Sequence, residues 1–260
     1  MTQIGSPALL SNLPNLNITR TVWHSETDRA KYGNTVAQFT DAWLEAEQMS
    51  VIEGIRDLCL QPISQPEYMA FLPWAHDNGL HVRVKRFAGM FQGFSNYYTA
   101  GTDLLIVAMS RNKDMAESAD PEQFLGYPKC CQEFFGANFP KYVDPVLQWA
   151  GYESHITASP YCIPVLRSKG IRFVAHIPCS PNCEATIKLG REMSTLLDPV
   201  MVEQALEILS APITWDSYRS IAIVKTPWFR TLYRSVPYAE KVVVNINAGT
   251  ESVSPEICAA

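Results

Sequence analysis

Apolar residues recur at helical spacing in several stretches of the chain. Residues 35–49 carry them on one predicted helical face, at Val36, Phe39, Trp43 and Ala46. Residues 65–79 have a helical pattern that is expected to break near its internal proline and to end at Gly79. Residues 180–197 and 198–209 follow one another as two further predicted helices. The pattern therefore indicates a large helical component.

Other apolar runs are shorter and are typical of β-strands. They lie at residues 80–87, 103–109, 171–177, 220–226, 228–235 and 241–247. Short helices that begin at a proline are predicted within 120–126 and 144–151, and residues 1–30 are expected to form an irregular lead-in. We therefore predict an α/β fold of the mixed α+β kind, in a single domain over residues 1–260, with a helical middle and a β-rich C-terminal part.

Composition and charge argue against several classes of partner. The 260 residues are 47% hydrophobic and 18% charged, as in an ordinary globular protein. The net charge is −5, and the densest basic run, at 81–87, alternates with apolar residues, so we expect no nucleic-acid partner. The sequence has neither a signal-peptide pattern nor a long apolar run, which predicts a cytoplasmic protein without a membrane partner.

The seven cysteines are the most informative residues for chemistry. In a reducing compartment, clustered cysteines more often indicate metal binding or catalysis than disulfides. Four of them fall in two short motifs, GYPKCC at 126–131 and HIPCSPNC at 176–183. The other three have apolar neighbours or lie near the end of the chain, and we expect them to pack in the interior: Cys59, Cys162 and Cys258.

Both motifs place a proline shortly before a cysteine where a helix is predicted to begin. Pro128 puts Cys130 and Cys131 in the first turn of one helix, and Pro181 puts Cys183 in the first turn of another. The free N–H groups and partial positive charge of a helix N-terminus favour a thiolate there. The predicted strand at 171–177 would deliver His176 and Cys179 to the same place.

The chemistry of this group has several interpretations. An iron–sulfur cluster, most simply [4Fe–4S], is favoured, because structural zinc sites usually contain a C-x2-C pair and this chain has none. Its ligands would be Cys130, Cys131, Cys179 and Cys183. Zinc bound by the same residues is the first alternative, and a thiol redox sensor that is not an enzyme is the second.

The leading hypothesis is thus an iron–sulfur enzyme that acts on a small molecule, as a lyase, desulfidase or reductase, in sulfur or specialised metabolism. The candidate catalytic groups near the sulfurs are His176, Cys130, Tyr127 and Glu133. The sequence does not specify the substrate or the oligomeric state.

The two motifs together resemble those of a domain-of-unknown-function family of archaeal and bacterial proteins, in which GYPxCCxxFF is followed by HxPCxxxC. The resemblance covers mainly residues 125–190, the cysteine-site region. It implies a single site that contains Cys130, Cys131, His176, Cys179 and Cys183, and it implies no particular activity. The adjacent cysteines also resemble those of iron–sulfur reductases and desulfidases that act on modified nucleosides, which is an analogy of chemistry rather than of fold.

Overall fold

A three-stranded antiparallel sheet with two helices forms the first half of the chain. The computed structural model describes residues 19–90, 103–138, 155–156, 158–216, 221–234, 241–243 and 256–258. The sheet has the order β2-β4-β3, and its strands are β2 (Leu58–Ser64), β3 (His81–Met90) and β4 (Asp103–Ser110). The helices are α1 (Glu26–Ile52) and α2 (Gln65–Asp77). Helix α2 runs on through Pro73, where a break was expected, and Gly79 follows in the left-handed region at φ 71°.

Helix α1 starts and packs as its sequence predicts. The side chain of Ser25 accepts a hydrogen bond from the backbone N–H of Asp28, which satisfies one of the free donors at the helix start. The predicted apolar face is buried, and further along the helix Glu47, Ser50 and Val51 are buried as well. A helix of 27 residues therefore contacts core on one side for most of its length.

A second, five-stranded antiparallel sheet takes four of its strands from the C-terminal half. Its order is β1-β8-β7-β6-β5, so the first described strand of the chain closes one edge. Its strands are β1 (Thr19–Trp23), β5 (His155–Ile156), β6 (Ile213–Asp216), β7 (Ile221–Lys225) and β8 (Phe229–Arg234). Strands β9 (Lys241–Val243) and β10 (Glu256–Cys258) form a separate antiparallel pair.

Short helices connect the sheets. They are α3 (Lys113–Glu117), α4 (Lys129–Asn138), α5 (Glu184–Ser194) and α6 (Pro199–Leu209), with 3-10 turns at Pro121–Phe124, Pro160–Cys162 and Arg167–Lys169. The largest core cluster joins α1, α6, the second sheet and the segment that contains Ile163 and Phe173. The mixed α+β prediction is confirmed. Among the helices described, none combines the length and apolar character that a membrane span requires.

Several predicted boundaries differ from the structure. Residues 171–177 are not a strand but an irregular buried segment, because their apolar run packs in the core without a neighbouring strand. The lead-in ends earlier than residue 30, since β1 begins at Thr19 and α1 at Glu26. The helix predicted over 180–197 begins only at Glu184. The helix predicted at 144–151 lies outside the described residues, as does 244–247 of the last predicted strand.

Two glycines lie where backbone segments pack in close contact. Gly170 has φ 70°, and a Cβ placed there would lie 2.5 Å from the Cα and N atoms of Thr40 in α1. A Cβ on Gly190 in α5 would lie 2.9 Å from the Cβ and carbonyl oxygen of Tyr161. Helix α5 therefore packs with its backbone directly against the 3-10 turn at Pro160–Cys162. Contact requires glycine at position 190, whereas contact and the left-handed backbone conformation together require it at position 170.

Candidate metal centre

Four cysteine sulfurs converge at one place in the described part of the structure. The Sγ atoms of Cys130, Cys131, Cys179 and Cys183 all lie within 4.8 Å of one another. Cys183 Sγ is 3.7 Å from each of the sulfurs of Cys130 and Cys131, and those two are 3.9 Å apart. These distances exceed the length of about 2.05 Å of a disulfide bond, so the thiols are close but not cross-linked.

Helix α4 supplies the adjacent pair. The carbonyl of Pro128 accepts hydrogen bonds from the backbone N–H groups of Cys131 and Gln132, at 2.9 and 3.1 Å. The helix therefore starts where the proline predicts, and both cysteines are in its first turn. Cys131 is 2% exposed and faces inward, whereas Cys130 is exposed. The group thus has a buried side and a side open to solvent.

The second pair comes from the turn before α5. Cys183 is the residue just before the helix, and the backbone N–H of Ile187 donates to its carbonyl at 2.9 Å. Cys183 is therefore the N-cap, rather than a residue of the first turn as the sequence predicted. The backbone N–H of Cys179 points at Cys131 Sγ, 3.4 Å away. This amide joins the two motifs directly.

The segment that begins near Ser159 stabilises the turn before α5. The backbone N–H of Ser159 donates to the carbonyl of Pro181 at 3.1 Å and to the side-chain oxygen of Asn182 at 2.8 Å. Buried Cys162 contacts the carbonyl of Cys183, with a sulfur–oxygen distance of 3.6 Å. Cys59 is buried in the core of the first half. Cys59 and Cys162 pack in the interior as expected, although Cys162 lies beside the four-sulfur group.

The pKa values of Cys131, Cys179 and Cys183 are shifted in different directions. Burial alone would raise the pKa of Cys183, but hydrogen bonds from the hydroxyl and backbone N–H of Thr186, and then from the thiols of Cys179 and Cys131, lower it to about 7. Burial raises the pKa of Cys131, and it does so more strongly than hydrogen bonds from Thr186 and the Cys179 amide lower it. Burial and then the neighbouring sulfurs raise the pKa of Cys179 to about 11. Without a cation, the sulfurs therefore cannot all be thiolates near neutral pH.

Thr186 was missed by the sequence analysis and links the sulfurs to His176. Its hydroxyl oxygen is 3.3 Å from Cys131 Sγ and 2.9 Å from His176 Nε2. Thr186 is fully buried. The available signal was its position three residues after Cys183, which places it one helical turn along on the same side of α5.

The candidate catalytic residues are placed differently from one another. The rings of His176 and Tyr127 are 4.9 Å apart, and Tyr127 contacts the guanidinium of Arg56 at 5.4 Å. His176 is therefore one residue removed from the sulfurs, behind Thr186. Glu133 is exposed, and its carboxylate lies 3.8 Å from Lys129 Nζ on the surface of α4. That contact is typical of an ordinary i,i+4 ion pair.

Buried His176 makes folding sensitive to acid. Burial, with a smaller contribution from the charge of Arg56, lowers its pKa to about 4, below the value of about 6.5 expected in the unfolded chain. As the pH falls, the unfolded chain binds the proton before the folded protein does. Neutral His176 therefore contributes fully to the free energy of unfolding above about pH 6.5, and up to about 3 kcal/mol of this contribution is lost as the pH falls towards 4.

Urea unfolding of the wild type and of His176→Gln at several pH values tests this expectation. The difference in unfolding free energy between them should shrink from pH 7 to pH 4.5. Replacement of exposed His81 by Gln controls for the removal of a histidine. Parallel stability curves for wild type and His176→Gln would contradict the prediction.

The donor set fits a thiophilic metal ion. Four sulfur ligands select zinc, copper(I) or iron rather than magnesium or calcium. A cation among them would also ionise the thiols that burial keeps protonated. The structure thus brings together the four cysteines that the sequence singled out, in a group that could bind a metal.

Comparison with known proteins does not indicate a function for the chain, so its function is inferred from the four-sulfur group. No protein family model, no curated protein and no solved structure matches the chain. The resemblance to the GYPxCC…HxPCxxxC family therefore stays a prediction from the two motifs, and the strongest functional indication is the four-sulfur group itself.

Proposed function

We propose that this chain is a zinc protein, in which Cys130, Cys131, Cys179 and Cys183 together bind one Zn²⁺ ion. The observation that carries the proposal is the spacing of the sulfurs. Around a single tetrahedral ion with metal–sulfur bonds of about 2.3 Å, the ligand sulfurs lie about 3.8 Å apart. The three sulfur–sulfur distances given above, 3.7, 3.7 and 3.9 Å, have this length.

A cluster of several irons requires a wider arrangement. Each cysteine in a [4Fe–4S] site binds a different iron, so two irons and a bridging sulfide lie between any two cysteine sulfurs. All four sulfurs of this group lie within 4.8 Å of one another, which supports a single ion instead.

Four thiolates that complete the coordination of zinc leave no position for substrate, as in structural rather than catalytic sites. The zinc ion would therefore act as a cross-link between two parts of the chain. The ion fastens the start of α4 to the turn before α5, two segments about 50 residues apart in sequence. Both are short helices, and each depends on tertiary contacts for its stability. We therefore assign the metal to holding this part of the fold together.

An iron–sulfur enzyme that acts on a small molecule is the second candidate. The observation that favours it is the ligand pattern, because the chain has an adjacent pair and C-x3-C where structural zinc sites have C-x2-C pairs. Exposed Cys130 would then be the ligand beside a reactive iron, with neutral His176 behind the sulfurs and joined to them through Thr186.

Metal analysis of the full chain, purified without oxygen, tests the two assignments. We expect a colourless protein that contains one zinc per chain and neither iron nor acid-labile sulfide. A visible charge-transfer band, together with stoichiometric iron and sulfide, would replace zinc by the cluster. The absence of both metals, with reversible formation of a Cys130–Cys183 disulfide, would favour the thiol sensor, since those sulfurs are already 3.7 Å apart.

A further inference from the structure

The sulfurs of the four-cysteine group differ in their access to solvent. Cys130 is exposed on helix α4, whereas Cys131 and Cys183 are 2% and 7% exposed. Cys179 is half-buried. Cys130 Sγ is nevertheless 3.7 Å from the Sγ of Cys183, which lies in the other motif. A reagent in solution therefore meets Cys130 first, at a place where a second sulfur is close enough to react in turn.

In the proposed zinc site, on which this inference rests, the metal would make the exposed sulfur a nucleophile. A thiol that coordinates a metal ion is deprotonated, and the thiolate rather than the thiol is the form that reacts with oxidants. Zinc has no redox chemistry of its own, so an oxidant that reaches the site takes its electrons from sulfur. Cys130 thus combines a thiolate with exposure to solvent.

We propose that Cys130 is a site of oxidation by hydroperoxides, and that a Cys130–Cys183 disulfide then replaces the zinc ion. In the first step, the Cys130 thiolate attacks the peroxide. An S–O bond forms, the O–O bond breaks, and the alkoxide or hydroxide that leaves takes up a proton. Two electrons pass from sulfur to the peroxide, and Cys130 becomes a sulfenic acid.

Cys183 supplies the thiolate for the second step. Its sulfur attacks the sulfur of Cys130, an S–S bond forms, the S–O bond breaks, and the hydroxide that leaves is protonated to water. The two sulfurs close from 3.7 Å to a bond length of about 2.05 Å. Two thiolates, one hydroperoxide and two protons thus give one disulfide, one alcohol and one water, or two waters when the oxidant is hydrogen peroxide.

Adjacent Cys131 is unsuited as the partner of Cys130, although the two sulfurs are 3.9 Å apart. The Cα atoms of successive residues are about 3.8 Å apart across a trans peptide bond, whereas disulfides usually join Cα atoms about 4.4–6.8 Å apart. A bond to Cys183 is free of that constraint, because the two residues are 53 positions apart in sequence. The oxidation therefore links the two motifs.

The disulfide would remove the metal while keeping the connection that the metal makes. The thiolate is the form of cysteine that binds metals, so Cys131 and Cys179 would be the two remaining ligands of the group. The new bond joins α4 to the turn before α5, as the zinc ion does. We therefore expect the oxidised protein to release zinc and to stay folded, which distinguishes a reversible switch from oxidative damage.

Addition of hydrogen peroxide to the zinc-loaded full chain, in equimolar amount, tests the proposal. We expect release of the zinc to a chromophoric chelator, a Cys130–Cys183 cross-link in the peptide map, and an unchanged far-UV circular dichroism spectrum. Dithiothreitol with added zinc should then restore the metal content. Retention of zinc after the peroxide is consumed, loss of the fold on release, or a disulfide between any other two cysteines overturns the proposal.

Cys130→His separates oxidation from metal binding. Histidine is an ordinary zinc ligand, so this variant keeps four ligands but loses the exposed thiol. Peroxide should release its zinc about tenfold more slowly than that of the wild type, or more slowly still. Cys59→Ala is the control, because Cys59 is a thiol buried in another core cluster, and it should release zinc as fast as the wild type. Equal rates for Cys130→His and the wild type would contradict the proposal.

If Cys130→His does not bind zinc, a trapping experiment on the wild type takes its place. With excess dimedone, which reacts with sulfenic acids, oxidation should yield an adduct on Cys130 in place of the disulfide. An adduct on another cysteine, or none, overturns the proposal. Zinc content measured before peroxide is added tests the metal assignment by itself. A chain without zinc overturns the zinc site, whereas a chain that binds zinc and keeps it in peroxide overturns this inference alone.

Discussion

Replacement of Cys131 by alanine is expected to abolish zinc binding and to lower the free energy of unfolding by about 4 kcal/mol or more. Cys131 is the most buried of the four cysteines, and its sulfur contacts Cys183, Thr186 and the Cys179 amide. Its removal leaves three ligands and a gap on the buried side. Metal content and urea unfolding of the purified variant measure the two effects.

Cys162→Ala is the matched control for this experiment. Cys162 is fully buried beside the same sulfurs, but it is not a member of the four-cysteine group. The variant should keep its zinc and lose only about 1 kcal/mol, the cost of a small cavity. If the two variants lose metal and stability equally, packing of the cysteines rather than metal binding accounts for the stability, and the cross-link assignment is wrong.

Replacement of Gly170 by alanine should cost about 3 kcal/mol or more, for two reasons that act together. The residue has φ 70°, a conformation that side chains with a Cβ rarely adopt. The new Cβ would also lie 2.5 Å from backbone atoms of Thr40 and 2.6 Å from the carbonyl carbon of Phe39. Because those atoms belong to helix α1, they cannot move aside as a flexible side chain would.

Gly79→Ala separates the two contributions. Gly79 has nearly the same backbone conformation, φ 71°, but nothing lies within 4 Å of the added Cβ. It should lose only about 1 kcal/mol, from the left-handed conformation alone. Thermal and urea unfolding of both variants give the comparison. Similar losses for the two would mean that α1 and the 3-10 turn at Arg167–Lys169 are less tightly packed than the structure describes.

The sequence predicted the elements that carry strong periodic signals. The core of α1, the capped helix α6 and strands β7 and β8 lie where hydrophobic spacing and turn residues indicated. Strand β2 was missed, because Gln61 and Pro62 interrupt its apolar run. The strand tolerates the proline because it lies at the edge of its sheet. Gln61 is accommodated by hydrogen bonds with Gln48 and with the carbonyl of Leu44.

The sequence correctly predicted that the four cysteines lie close together, but it was wrong about the element that brings the second motif there. Residues 171–177 were expected to deliver His176 and Cys179 from a strand, and they form an irregular buried segment instead. An apolar run signals burial, whereas strand pairing depends on a neighbour elsewhere in the chain. For the same reason, the sequence did not reveal Thr186 or the buried Glu47–Arg56 ion pair, whose partners are set by tertiary contact.

The adjacency of Cys130 and Cys131 has a consequence for the orientation of helix α4. A single attachment point would let a short helix swivel about its axis, but side chains of successive residues diverge by about 100° around that axis. With both sulfurs held 3.7 Å from Cys183, the azimuth of the helix is fixed as well as its position. The fixed azimuth gives different surroundings to the two phenylalanines one turn further along the helix. Phe134 is turned towards the main core, and Phe135 is left 38% exposed.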